Sequence, residues 1–99
     1  MRGNLRQWQA GSGRLFMSYK VYAIKSLKDN RIYVGMSENP IKRVREHNNK
    51  QVFSTKGYTP WKIFYIEDCG DDRKIARQRE KYLKSYSGKE FLKRFLVPR

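Results

Sequence analysis

Apolar and polar residues alternate along Tyr19-Lys-Val-Tyr-Ala-Ile-Lys25, and the β-branched and aromatic content suits a strand. Lys28-Asp29-Asn30 supplies turn chemistry, so Arg31-Ile-Tyr-Val-Gly35 reads as the returning strand of a hairpin. Asn39-Pro40 then opens a helix, because Asn caps well and Pro at the first helical position gives up no hydrogen bond. That helix is expected to reach about Asn49, with Ile41, Val44 and the stem of Arg45 against the sheet. Gly57 to Pro60 interrupt the chain before Trp61-Lys-Ile-Phe-Tyr-Ile66, the clearest strand of all. Asp71 or Asp72 caps a second helix, where Ile75, Ala76, Arg79, Tyr82 and Leu83 fall on one side and Gly88 is the expected break. Phe91, Leu92, Phe95 and Leu96 mark a short third amphipathic helix.

The order is hairpin, helix, strand, helix, helix. Only three strands are available and the first two pair antiparallel. The expected fold class is therefore α+β, a small three-stranded antiparallel sheet flanked by helices. A chain of 99 residues makes one domain at most. Residues 1–18 differ from the rest: they hold Gly3, Gly11 and Gly13, no acidic residue, and neither periodicity. They read as a flexible basic leader ahead of a domain over residues 19–97. There are no internal repeats and no low-complexity tract.

Charge narrows the partner. Lys and Arg number 23 against 9 Asp and Glu, a net charge of +14. All nine acids and all but three of the basic residues lie beyond the leader, so the excess belongs to the domain. Such an excess works against compaction and points to a polyanion, nucleic acid first. No apolar run approaches the about 18–20 residues that a membrane span needs. No apolar block near the start marks a secretory signal, so the expected setting is the cytoplasm. One Cys and one His exclude the common structural zinc patterns. Cys69 reads as a small buried or loop residue rather than a reactive thiol.

Several chemistries fail on residue types alone. A Ser-His-Asp or Cys-His arrangement would have to use His47, and no nucleophile elbow, phosphate loop or dinucleotide fingerprint is present. What remains is spread over the hairpin and two helices. Ten residues separate Tyr22 from Tyr33, and a hairpin makes them neighbours on one face if the register allows. Two core aromatics are the plain alternative. Arg43 and His47 are i,i+4 on the first helix and project from one face, which is otherwise an ordinary solvated face beside Lys42, Arg45 and Glu46. Glu80 lies on the second helix amid Arg77, Arg79, Lys81 and Lys84, where an exposed salt bridge to Lys84 is the plain alternative.

Together these residues resemble the GIY-YIG nucleases. Lys20-Val21-Tyr22 and Tyr33-Val34-Gly35 are similar to the paired tripeptides that name that family. Arg43 lies eight residues after Gly35, where the family carries a helical arginine, and His47 follows one turn later at a position filled by His or Tyr. Glu80 falls at the place of the family's single metal-binding glutamate. Glu46-His47-Asn48, Ser54-Thr55-Lys56, Pro60-Trp61 and Arg79-Glu80-Lys81 look like its small stand-alone bacterial branch. The resemblance covers about residues 19–97. Lys20 stands in place of the first glycine, and the last helix has no match for an asparagine that some relatives carry.

The resemblance implies a metal-dependent endonuclease acting on DNA. Arg43 would offer forked donors to the non-bridging phosphate oxygens, where Lys is only a point charge. Glu80 would supply one hard carboxylate to Mg²⁺ or Mn²⁺, which keep most of their waters. Tyr22 and His47 would carry the proton path to the attacking water, in either order, and Tyr33 would hydrogen-bond that water or a phosphate oxygen. Lys25 and Lys56 are expected phosphate contacts. Trp61 is a base-stacking platform or, on the better reading, a core anchor. A domain of this size has little surface for reading duplex sequence, so single-stranded or branched DNA is the expected substrate, in repair, recombination or processing. The expected state is a monomer, with any protein partner unidentified. Two other readings stay open: a non-catalytic nucleic-acid-binding module on the same fold, and a structural basic protein of a ribonucleoprotein.

Overall fold

The computed structural model describes residues 18–96, so the leader expected over residues 1–18 lies, apart from Ser18, outside the described residues. Strands β1 (Lys20–Ser26) and β2 (Ile32–Ser37) form the hairpin. Helix α1 (Pro40–Asn48) follows, then a 3₁₀ turn at Lys56–Tyr58 and strand β3 (Trp61–Asp68). Helices α2 (Arg73–Lys84) and α3 (Tyr86–Lys93) complete the domain. The sheet order is β2-β1-β3, antiparallel throughout, which is the expected α+β architecture. No helix among the described residues is long and apolar enough to cross a membrane.

The central strand is covered on both faces, so Val21, Tyr22, Ala23 and Ile24 are all buried despite their alternating directions. On one face Val21, Ala23 and Val34 pack against Ala76 and Leu83 of α2 and Leu92 of α3. On the other, Tyr22, Ile24 and Trp61 pack with Tyr33, Val44 of α1, Tyr58 and Ile63. Between these β1 partners, β3 carries one extra residue: Ala23 pairs with Tyr65 and Ile24 with Ile63. This bulge lets the consecutive Phe64 and Tyr65 both join the α2–α3 side of the core.

Both predicted caps are in place. The Asn39 side chain accepts from the Lys42 N–H at 3.2 Å, and the Asp72 side chain accepts from the Lys74 N–H at 2.9 Å. Three expectations are corrected. Pro40 and His47, not Ile41 or Arg45, are the buried positions of α1; Ile41 is half exposed. Burial of Pro40 at the helix start sets the inward arc through Val44 and His47, and Ile41 lies off it. The buried stripe of α2 is Ala76, Glu80 and Leu83, which leaves Ile75 and Tyr82 at the surface. Gly88 does not end α2. The break falls at Ser85, whose hydroxyl caps α3 by accepting from the Gly88 N–H at 3.2 Å. Gly88 sits buried inside α3, where a Cβ would lie 2.5 Å from the Leu83 Cα and run into the Tyr82 carbonyl.

Candidate active site

The hairpin register brings two phenols to one face. Tyr22 lies opposite Gly35 and Tyr33 opposite Ile24, so the tyrosines are diagonal neighbours on the face that α1 covers. A Cβ on Gly35 would come within 2.6 Å of the Tyr22 hydroxyl oxygen and 2.7 Å of its Cζ. The phenol therefore rests on bare backbone, which gives the last glycine of the second tripeptide a steric reason.

Helix α1 is clamped onto β3 by a side-chain amide. Asn48 Oδ1 accepts from the Trp61 N–H at 2.6 Å and its Nδ2 donates to the Trp61 carbonyl at 3.0 Å. The clamp holds His47 fully buried between the tyrosines. His47 Nε2 lies 2.9 Å from the Tyr22 hydroxyl, Nδ1 lies 2.8 Å from Thr55 Oγ1, and the ring meets Tyr33 edge-on at 4.9 Å. Thr55 Oγ1 donates onward to the Val52 carbonyl at 3.3 Å. That last acceptor fixes the direction of the chain. With its proton given to Val52, Thr55 accepts from His47 Nδ1–H, which leaves Nε2 as the acceptor for the Tyr22 O–H.

Electrostatics keep both partners uncharged. Burial, helped by the nearby Arg43 cation, lowers the His47 pKa from 6.5 to about 4, with Glu46 opposing. Burial, then the neighbouring Tyr33, pushes the Tyr22 phenol well above its usual range, while Arg43 pulls it back. The resting pair is thus neutral phenol and neutral imidazole. Arg43 lies one turn before His47, beside Tyr22, half-exposed and braced by Glu46 at 2.8 Å.

Glu80 is only 7% exposed, and the bridge to Lys84 that was its plain alternative is made, from a buried carboxylate: its oxygens meet Arg77 at 2.8 Å and Lys84 at 3.1 Å. Its negative charge also reaches Tyr22. Among the described residues no three His, Cys, Asp or Glu side chains gather as a metal-ligand set. A single carboxylate of this kind would suit a hydrated Mg²⁺ or Mn²⁺ that takes its other ligands from water and phosphate only by giving up Arg77 or Lys84, and it does not suit a cation caged by protein.

Tyr22, Tyr33, Arg43 and His47 come together, with Glu80 within electrostatic reach. Lys25 does not join them, because alternation along β1 puts it on the face of Val21 and Ala23. Lys56 is exposed on the loop just after Thr55, its ammonium 4.7 Å over the Phe53 ring. Trp61 is a buried anchor whose indole N–H donates to the Thr55 carbonyl at 3.0 Å, so it offers no free face for a base. Cys69 follows β3, half-buried, with burial pushing its thiol pKa up. Sequence reasoning gave no role to Thr55, Glu46 or Asn48, which orient His47, Arg43 and α1. The only signal for them was their place in Ser54-Thr55-Lys56 and Glu46-His47-Asn48.

Several known proteins are similar in sequence to this chain. A UPF0213 protein of Haloquadratum walsbyi is 36% identical over 70 residues, 70% of this chain and 78% of that protein. One of Clostridium perfringens is 38% identical over 69 residues, covering 69% and 71%. The structure-specific endonuclease subunit SLX1 homolog of Giardia intestinalis is 30% identical over 80 residues, 78% of this chain but 22% of its own length. This chain thus spans about a fifth of that relative and most of the two small ones. Residues 18–94 match the model of the GIY-YIG catalytic domain. With the tripeptides paired across one hairpin and the match running nearly the length of the described residues, the chain belongs to the GIY-YIG family of nuclease domains.

Proposed function

We propose that this domain is a divalent-metal-dependent endonuclease that hydrolyses DNA phosphodiester bonds, preferring single-stranded or branched substrates, in repair, recombination or DNA processing. The observation that carries the reading is the oriented chain Tyr22–His47–Thr55–Val52 with Arg43 beside it. Because the Tyr22 proton is committed to His47 Nε2 and the Arg43 guanidinium donates to the phenol oxygen, one lone pair of that oxygen is left to accept a hydrogen bond from an attacking water. Full proton transfer from Tyr22 to His47 is uphill at rest, since burial raises one pKa and lowers the other. Cationic charge at the reacting phosphate favours the phenolate and lowers that cost. Arg43 is placed to meet the non-bridging oxygens with forked donors. Glu80 would hold the cation, which supplies charge against the developing negative charge and the leaving oxygen. The structure-specific endonuclease subunits among the relatives support a branched substrate, and the net charge of +14 supports a polyanion. The same reading takes the domain as a monomer acting in the cytoplasm.

The test is cleavage of labelled single-stranded, duplex and branched DNA with Mn²⁺, Mg²⁺ or EDTA. Arg43→Ala and Glu80→Ala each abolish metal-dependent cutting if the reading is right, and Glu80→Ala keeps its DNA affinity. A mutant that cuts at near wild-type rate removes that residue from the site. One observation favours the non-catalytic module instead: both oxygens of Glu80 already hold cations. Salt-sensitive binding with no cutting of any substrate would select that module.

A further inference from the structure

Beside Arg43 the surface opens into a cleft of about 810 Å³ between the start of β1, the first turn of α1 and the start of α2. Its charged lining is Lys20, Lys42, Arg43 and Arg73 against Glu38 and Glu46. Glu46 is spent on Arg43 at 2.8 Å, and Lys42 and Arg73 are exposed. Lys20 is the informative member. It shares the strand face of Tyr22, two residues away, an offset of about 6.6 Å between the two backbone positions along the strand. Its ammonium donates to Ser18 Oγ at 2.8 Å and stands 3.9 Å from Asp68, which holds the flexible side chain beside the cleft.

A second basic hollow lies past Tyr33, lined by Arg31, Lys89 and Lys93. Two of its cations already have partners: Arg31 stacks 3.8 Å over Tyr58 and bridges to Asp29 at 3.1 Å, and Lys93 pairs with Glu90 at 3.0 Å. The first cleft holds ion pairs of its own, Lys20 with Asp68 and Arg43 with Glu46, and what sets it apart is that it adjoins the arginine placed at the reacting phosphate.

We infer that the cleft of Lys20, Lys42 and Arg73 carries the DNA strand on one side of the scissile phosphate, with Lys20 as a substrate-positioning residue that grips a neighbouring phosphate. This deepens the endonuclease reading and rests on it for turnover, whereas the binding readout stands without it. Lys20 occupies a glycine position of the first tripeptide that the extended backbone does not need as glycine, so a side chain there is free to serve the substrate. A phosphate contact outside the reacting centre adds binding shared by ground and transition states, which moves KM and leaves kcat.

The test compares wild type, Lys20→Gln, Lys20→Arg, Arg73→Gln and, as a charge-matched control on the outer face of α2, Lys81→Gln. Affinity for a labelled single-stranded oligonucleotide is measured in EDTA across salt concentrations, and KM and kcat with Mn²⁺ on the cleaved substrate. Lys20→Gln and Arg73→Gln each raise Kd and KM by roughly three- to tenfold with kcat within about twofold, and flatten the log Kd against log salt slope by about 0.7. Lys20→Arg restores both constants, and Lys81→Gln moves neither. A Lys20→Gln protein indistinguishable from Lys81→Gln overturns the strand path even if the enzyme cuts. Binding that depends on Lys20, with no cutting of any substrate, keeps the path and overturns the nuclease reading. No binding by the wild type overturns both.

Discussion

Replacing His47 by glutamine isolates the ionisation on which the site depends. In the fold, burial and Arg43 hold the imidazole at a pKa of about 4, whereas in the unfolded chain it returns to about 6.5. Between those values the unfolded chain takes up a proton that the folded one refuses, so stability falls as pH falls through that window. The gap corresponds to about 3 kcal/mol at about 1.36 kcal/mol per pH unit. Above about pH 6.5 both states are neutral at His47 and the contribution is level. Exposed carboxylates that are paired in the fold, Asp29 and Glu46, add acid sensitivity of their own, since their pKa values are lowered by Arg31 and Arg43. That part is common to the wild type and His47→Gln, and subtracting the two curves removes most of it.

The assay is urea unfolding of both proteins from about pH 7.5 to 4.5, with ΔG extrapolated to water at each pH. The wild-type curve is expected to fall more steeply than the mutant curve below about pH 6, by a total of about 2.5 kcal/mol at about pH 4.5. His47 is the one histidine of the chain, so an imidazole resonance followed by NMR reports its midpoint without assignment. Parallel unfolding curves, or an imidazole midpoint near 6.5, would show that His47 ionises freely. The neutral acceptor for the Tyr22 proton would then be refuted.

Gly35→Ala places a methyl 2.6 Å from the Tyr22 hydroxyl oxygen, so the phenol must leave the His47 Nε2 hydrogen bond. Cleavage should drop by at least about tenfold with stability lowered by about 1–3 kcal/mol. A variant that keeps full activity would show that the phenol is not needed where it rests. Gly88→Ala drives a methyl into the Tyr82 carbonyl and to within 2.5 Å of the Leu83 Cα, where backbone cannot yield cheaply. Chemical denaturation should show a loss of about 2–4 kcal/mol, and a loss below about 0.5 kcal/mol would mean that α2 and α3 separate without penalty.

The elements that sequence reading caught are those written in local chemistry. Asn39-Pro40 and an aspartate before Arg73 are caps, and their geometry depends on residues within one turn. The hairpin followed from alternation and a polar turn. What escaped depends on partners far along the chain. In α1 the inward arc ends on His47, a polar residue buried because Thr55 and Tyr22 satisfy both ring nitrogens, so hydrophobic spacing pointed to Ile41 instead. Gly88 has the letter of a helix breaker and the function of a close-packing residue, and only the position of Tyr82 and Leu83 separates the two. For the candidate site, the fold brings Tyr22, Tyr33, Arg43 and His47 together as their spacing implied and leaves Glu80 in electrostatic reach, while the face on which Lys25 projects and the burial of Trp61 followed from packing.

The sheet face under α1 shows how so small a domain combines a core with chemistry. Tyr22, His47 and Thr55 occupy positions that apolar side chains would otherwise fill, and burying them costs free energy unless every polar atom is paired. The chain from Tyr22 to the Val52 carbonyl pairs each of them, so the relay is part of the core as well as part of the site. The same dryness that demands this pairing keeps His47 neutral. On this face the charge stays at the rim, on Arg43 and the cleft of Lys20, Lys42 and Arg73. On the proposed reading, protons and phosphates are thereby handled by different layers of one fold. Salt is therefore expected to act on the outer layer, through affinity, and pH on the inner one, through the rate of the chemical step.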